Sequence, residues 1–136
     1  MKSMIIVLMT VLLASVSSYA GDIVVIGNNN VPKMSMVTVQ KIYTGKFVSV
    51  SGIDVTPIAF KSGANVRSRF LREFLKQDED KYTAYWTVRR YIGKGIPPME
   101  FSGATEIIRF VMSTPGAVGY IDEDDLKPGI NVIAGR

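Results

Sequence analysis

The sequence predicts an α/β domain, a mixed sheet flanked by helices, and three observations carry that expectation. Asp22-Ile23-Val24-Val25-Ile26 is a short, continuous, β-branched run ended by Gly27, the pattern of a buried strand. From Ser62 to Tyr91 the apolar residues recur instead at helical spacing, in two successive blocks. Gly116-Ala117-Val118-Gly119-Tyr120-Ile121 then reads as a tight turn into a further strand, with glycines where backbones come close. Strands that alternate with helices build a layered α/β domain.

The elements follow in order. Asn28 to Pro32 is a loop, and Ser35 is placed to cap a short helix from about Met36 to Tyr43, closed by Gly45. Val55 to Phe60 is a strand in which Pro57, lacking an N–H, marks an edge or a strand end. Ser62-Gly63-Ala64 opens a helix whose apolar stripe is Val66, Phe70 and Phe74 beside Leu71 and Leu75, with Arg67, Arg69, Arg72 and Lys76 on other faces. A second helix spans about Glu79 to Tyr91, with Asp78 or Asp80 near its start and Gly93 beyond its end. Its stripe Tyr82, Tyr85, Trp86, Arg89 is the spacing of core packing. Gly93 to Pro98 is a loop, Ser102 is placed to cap a third helix, Asp122 to Asp125 is an acidic loop, and Asn131 to Ala134 is a last strand.

The amino terminus reads as an export signal. Lys2 gives a positive start, Met4 to Val16 is almost unbroken apolar sequence, and Ser18-Tyr19-Ala20 offers small residues at a cleavage site. The run is shorter than the roughly 20 residues a membrane span needs. The expectation is therefore a signal peptide over residues 1–20, cleavage after Ala20, a periplasmic location with no stable membrane anchor, and a working domain of residues 21–136. One domain with one core fits that length.

Composition excludes whole classes of function. The chain has no cysteine and no histidine, so the usual zinc, copper and haem ligand sets cannot be assembled, nor can Ser-His-Asp or Cys-His catalytic arrangements. No disulfide and no thiol-linked lipid is possible. No enzyme, metal or cofactor is expected. Without Lys2 the net charge is +3, spread along the chain rather than gathered into a stripe. That favours small anions slightly and speaks against nucleic acid.

The segment with the most chemistry is Lys61-Ser62-Gly63-Ala64-Asn65-Val66-Arg67, a strand end, a small-residue turn and a helix start. Amides at a helix start lack internal partners and carry partial positive charge. Gly63 lets backbone approach a ligand, the Ser62 hydroxyl can donate, Arg67 can fork onto two oxygens, and Lys61 adds charge. Together these suit phosphate, sulfate or a carboxylate. The same residues also read as an ordinary helix start, with Ser62 as cap, Gly63 easing the turn and Arg67 solvated. A Ser–Lys pair at Lys61 and Ser62 is a third possibility, weakened because adjacent residues rarely present side chains to each other.

Four segments occur in a familiar order: Lys41-Ile42-Tyr43-Thr44-Gly45-Lys46, Phe60-Lys61-Ser62-Gly63-Ala64, Gly93-Lys94-Gly95, and Thr114-Pro115-Gly116-Ala117-Val118-Gly119-Tyr120. In these the chain resembles one lobe of the phosphate-transport substrate-binding proteins, and more closely the single-lobe chains described as phosphate ABC transporter substrate-binding protein-like. The resemblance runs over nearly all of residues 22–134. It implies one lobe of a type II periplasmic-binding-protein fold, and an oxyanion held by amides and hydroxyls. The family's Ser-Gly-Thr anion loop matches Ser62-Gly63-Ala64, with Ala64 lacking the threonine hydroxyl; Lys61 lies where the family has an arginine, and Arg67 follows the loop. The family's other lobe brings further hydroxyls and an aspartate for the ligand's proton. With one lobe alone, phosphate or a similar oxyanion is expected to bind no tighter than about 0.1–1 mM. A protein partner or a second copy would close the open cleft. The alternative is an envelope scaffold or sensor module without a small ligand.

Overall fold

The computed structural model describes residues 21–135, so the leader assigned to residues 1–20 lies outside the described residues. A five-stranded mixed sheet is flanked by helices, the architecture the alternation predicts. The strands are β1 (Ile23–Gly27), β4 (Thr56–Phe60), β5 (Met99–Phe101), β6 (Ala117–Asp122) and β7 (Asn131–Ala134), in the order β5-β4-β6-β1-β7. β4 runs parallel to β5 and β6, while β1 runs antiparallel to β6 and β7. All five residues of β1 are buried, which explains why its sequence is apolar throughout instead of alternating.

Helices cover both faces. In β6, Tyr120 stacks on Phe70 of α2 (Asn65–Phe70), with ring centroids 3.9 Å apart and planes 3° apart. The preceding residue, Gly119, faces α4 (Ala104–Ser113): a side chain there would stand 3.0 Å from Ile107 and 3.2 Å from Val111. Adjacent strand residues point to opposite faces, so α2 and α4 sandwich the sheet. Tyr43, at the end of α1 (Met36–Tyr43), joins the aromatic layer, and its hydroxyl donates 2.8 Å to the Ile58 carbonyl.

The capping chemistry is resolved position by position. Ser35 caps α1 by accepting from the Thr38 N–H, and Asp78 caps α3 (Glu79–Tyr91) by accepting from the Lys81 N–H. Ser102 does not cap α4. Gly103 holds that position, and the Ser102 N–H donates instead to Glu106 at 3.2 Å. Pro57 lies at a strand start, not on an edge strand: β4 is interior, and its pairing to β5 begins one residue later at Ile58. The helix opened by Ser62-Gly63-Ala64 is two pieces, α2 and a wider π turn over Leu71–Leu75, ended by Lys76 in the left-handed conformation. Arg67, expected on an outer face, is buried.

Two elements were not legible. The hairpin β2 (Ser49–Val50) and β3 (Ile53–Asp54) has only two residues per strand, joined through Ser51 and Gly52 at φ +51° and +78°, the left-handed pair that tight hairpins need. β5 has three residues and follows Pro97 and Pro98 directly. One turn is spatially exacting. Gly116 sits at φ +79°, and a side chain there would collide with the Asp54 carbonyl oxygen. Gly116→Ala is expected to cost more than about 2 kcal/mol in urea unfolding, since conformation and space both oppose it.

Candidate functional site

The carboxyl end of β4 delivers the chain from Phe60 into the turn Lys61–Ala64, closed by an Ala64 N–H to Lys61 carbonyl bond of 3.2 Å. Gly63 takes φ +90° there, and a side chain would meet nothing nearby, so the turn selects glycine for its conformation alone. Arg67 comes back from α2 beneath this turn. Its guanidinium donates 2.9 Å to the Phe60 carbonyl, and lies 5.6 Å from the centre of the Tyr82 ring.

Two carboxylates meet that guanidinium. Glu79, the first residue of α3, accepts from Arg67 Nε at 2.8 Å and from NH2 at 2.9 Å, a two-pronged pairing. Glu100 of β5 accepts from NH1 at 3.2 Å and from the Ser62 N–H at 3.0 Å. The Ser62 hydroxyl donates 2.6 Å to Glu79. Burial alone would raise the Glu79 carboxyl, but the hydrogen bonds from Arg67 and Ser62 outweigh it and hold the group below its usual range.

These contacts place each residue of the loop. Ser62 does not cap α2; Ala64 occupies that position and makes no side-chain cap. Arg67 is not solvated. Ser62 is engaged by Glu79, not by Lys61, which stays exposed at the rim. Of the five residues singled out, Ser62 and Arg67 converge, Gly63 and Ala64 shape the turn between them, and Lys61 flanks it. α2 has only six residues, so its dipole adds little and the guanidinium carries the local charge.

Beside Arg67 opens a pocket of about 180 Å³, reached by Ser62, Thr83, Thr87, Arg90 and Glu100. The Ser62 hydroxyl is committed to Glu79, and the Thr87 hydroxyl donates 2.8 Å to the Thr83 carbonyl. The pocket is smaller than the roughly 300–1,000 Å³ of sites for drug-sized ligands, and suits a small ion with a few waters. A larger concavity of about 490 Å³ lies on the other side of Trp86, lined by Phe47, Val48, Ile96 and Met99. It is mainly apolar, with Lys94 as its one charged lining residue.

Comparison with solved structures finds the same architecture. An ABC-type phosphate transport receptor from Vibrio cholerae matches with a TM-score of 0.57 and 13% identity, over 82% of this chain and 45% of that one. A protein from Clostridium perfringens, described as a phosphate ABC transporter substrate-binding protein with bound phosphate, matches at 0.63 and 18%, over 82% and 44%. PstS from Borrelia burgdorferi matches at 0.61 and 15%, over 83% and 46%. The fold is that of the phosphate-binding receptors. The chain spans less than half the length of each of these structures. No protein-family model matches it, and no curated protein does.

Within this phosphate-receptor-like fold, the sequence reading missed Glu79, Glu100, Thr83, Thr87 and Arg90. A signal for four of them was present: Glu79, Thr83, Thr87 and Arg90 recur along one polar face of α3, next to the Tyr82/Trp86 stripe. Among the described residues there is no group of three or more acidic side chains placed to hold a metal ion. No described helix is long and apolar enough to cross a membrane.

Proposed function

We propose that the chain is an exported binding module that holds phosphate, or a similar small oxyanion, in the pocket beside Ser62 and Arg67. The observation that supports this is a small pocket lined by Arg67, Arg90, Ser62, Thr83 and Thr87 at the end of β4 in a phosphate-receptor fold. The leader-like residues 1–20 support export.

The carboxylates set how such an ion is held. Arg67 and Arg90 are matched in charge by Glu79 and Glu100, so the pocket itself is close to neutral and Lys61 supplies the excess. An incoming anion competes with Glu100 for NH1 of Arg67 and for the Ser62 N–H. Glu100 is the carboxylate able to yield, because its side chain is 43% exposed against 31% for Glu79 and it makes one contact to the guanidinium where Glu79 makes two. Charge-assisted hydrogen bonds are worth roughly 1.5–3 kcal/mol each, and this competition consumes part of that. Affinity for the domain alone is therefore set at about 0.1–1 mM, and a protein partner or a second copy covering the open side would raise it.

Titration calorimetry with phosphate, sulfate and a neutral sugar tests the proposal. Heat is expected with phosphate and none with the sugar. Glu100→Gln removes the competing charge and is expected to tighten phosphate binding by about tenfold, whereas Arg90→Ala weakens it by a similar factor. Silence at 10-fold above the millimolar range (~10 mM phosphate) from both the wild type and Glu100→Gln would overturn the reading.

A further inference from the structure

We propose that the new amino terminus created by cutting after Ala20 is itself a docking group: the Gly21 ammonium seats between the Asp122 and Asp124 carboxylates while its carbonyl is held by Arg69. This rests on the export reading above, and goes beyond it by assigning a function to the processed end.

The observations are local and independent of the oxyanion pocket. Gly21 N lies 3.3 Å from Asp124 Oδ2. Its carbonyl accepts from Arg69 NH2. The same guanidinium pairs through NH1 with Asp122 Oδ2 at 2.7 Å, and both side chains of that pair are nearly buried. Asp122 Oδ1 accepts the Asp124 backbone N–H at 2.9 Å, which ties the Asp122 carboxylate to the turn that carries Asp124. Residue 21 is close-packed on acidic side chains: a Cβ there would press on Glu123 Cγ and come within 2.7 Å of Asp122 Oδ1 and 3.0 Å of Asp124 Oδ1. The next residue continues the attachment, since the Asp22 carbonyl accepts the Glu123 N–H at 2.9 Å and β1 begins at Ile23 opposite Asp122.

The chemistry follows from one hydrolysis. An export endopeptidase adds water across the Ala20–Gly21 peptide bond, hydroxyl to the Ala20 carbonyl carbon and hydrogen to the Gly21 nitrogen. At neutral pH the Ala20 carboxyl gives up its proton and the Gly21 amine takes one. A neutral amide facing two carboxylates thereby becomes a cation facing them, and a single hydrogen bond becomes a charge-assisted one. Processing thus tightens the end of the sheet's central antiparallel pair, and the cut domain is more stable than a chain still extended at this point. A free α-amine titrates near about 7.7–8.0, and neighbouring carboxylates raise that value. The gain is therefore complete below about pH 8 and lost as pH rises through the folded value. The groups facing the amine are Asp122 of β6, Glu123 and Asp124 of the turn that follows, and Arg69 of α2.

The test compares two purified chains, one beginning at Gly21 and one carrying Ala20 before it, by thermal unfolding at pH 7 and pH 10.5. The Gly21 form is expected to melt about 2–5 °C higher at pH 7, with the difference closing at pH 10.5 and in Asp124→Asn, whose side chain is exposed. Equal melting of the two forms at pH 7, or a difference untouched by Asp124→Asn, would overturn the proposal. Mass spectrometry of the full chain after secretion in a bacterial host reports separately on the cut. Cleavage at another bond removes the export premise as stated, while the melting comparison still judges the seat.

Discussion

Arg67→Ala is expected to destabilise the domain by about 3 kcal/mol or more, measured by urea unfolding at pH 7. The guanidinium answers three acceptors at once: the Phe60 carbonyl, Glu79 and Glu100. Removing it strands a buried carbonyl and leaves two carboxylates facing each other across the end of β4. Full burial of such a set would cost about 3–5 kcal/mol, and the partial exposure of both glutamates places this site at the lower end. The double variant Arg67→Ala/Glu79→Gln is expected to recover part of the loss, because one of the stranded charges is gone. Acid gives a second reading of the same contact. Glu79 titrates below its ordinary 4.5 when folded, so the stability it contributes is present above that value and drains away as pH falls through the folded one. Stability of the wild type therefore drops on acidification below about pH 4.5, and Glu79→Gln flattens that slope. A slope unchanged in Glu79→Gln would locate the acid sensitivity elsewhere.

Phe70→Ala is expected to cost about 3–5 kcal/mol, the range for truncating a fully enclosed aromatic ring. Phe70 is 1% exposed and lies against three rings: Tyr120 at 3.9 Å, Tyr43 at 4.7 Å and Phe74 at 5.3 Å. Truncation leaves a ring-sized void between α2 and the sheet, and the rigid strand backbone cannot collapse into it. Because Phe70 is one turn beyond Arg67 on the same helix, phosphate affinity should fall along with stability although Phe70 touches no ligand. The two single changes should also fall short of additivity when combined. A loss below ~1 kcal/mol would mean that the aromatic layer repacks freely, contrary to its geometry.

How much of this was legible depended on distance along the chain. Ser35 and Asp78 announce their helices because a cap bonds to an amide three residues on, and that relation is written in local sequence. β1 was legible because burial on both faces leaves a continuous apolar run. The π turn was not, since Leu71–Leu75 carries the same apolar residues that an α-helix would. At the candidate site, Ser62 and Arg67 were legible as neighbours in one motif. Their actual partners, Glu79 and Glu100, come from α3 and β5, up to 38 positions away along the chain. Arg67 shows the cost of that gap. Its place on the buried stripe with Phe70, Leu71, Phe74 and Leu75 fits helical spacing, but a charged residue is assigned to solvent until a carboxylate is known to wait for it.

Trp86 is the only tryptophan in the chain, and it lines both the small polar pocket and the large apolar concavity. The far edge of its indole faces Gly45 and Gly95, and Arg89 lies 5.7 Å from the ring. One chromophore therefore sits in the wall between the two spaces, with no second emitter of its kind to dilute the signal. Intrinsic emission becomes a label-free gauge of occupancy. On the proposed reading, an ion held beside Arg67 is expected to shift the colour of that emission, and an apolar guest on the Ile96 side to brighten it. The protein carries its own optical readout in the wall shared by its two pockets.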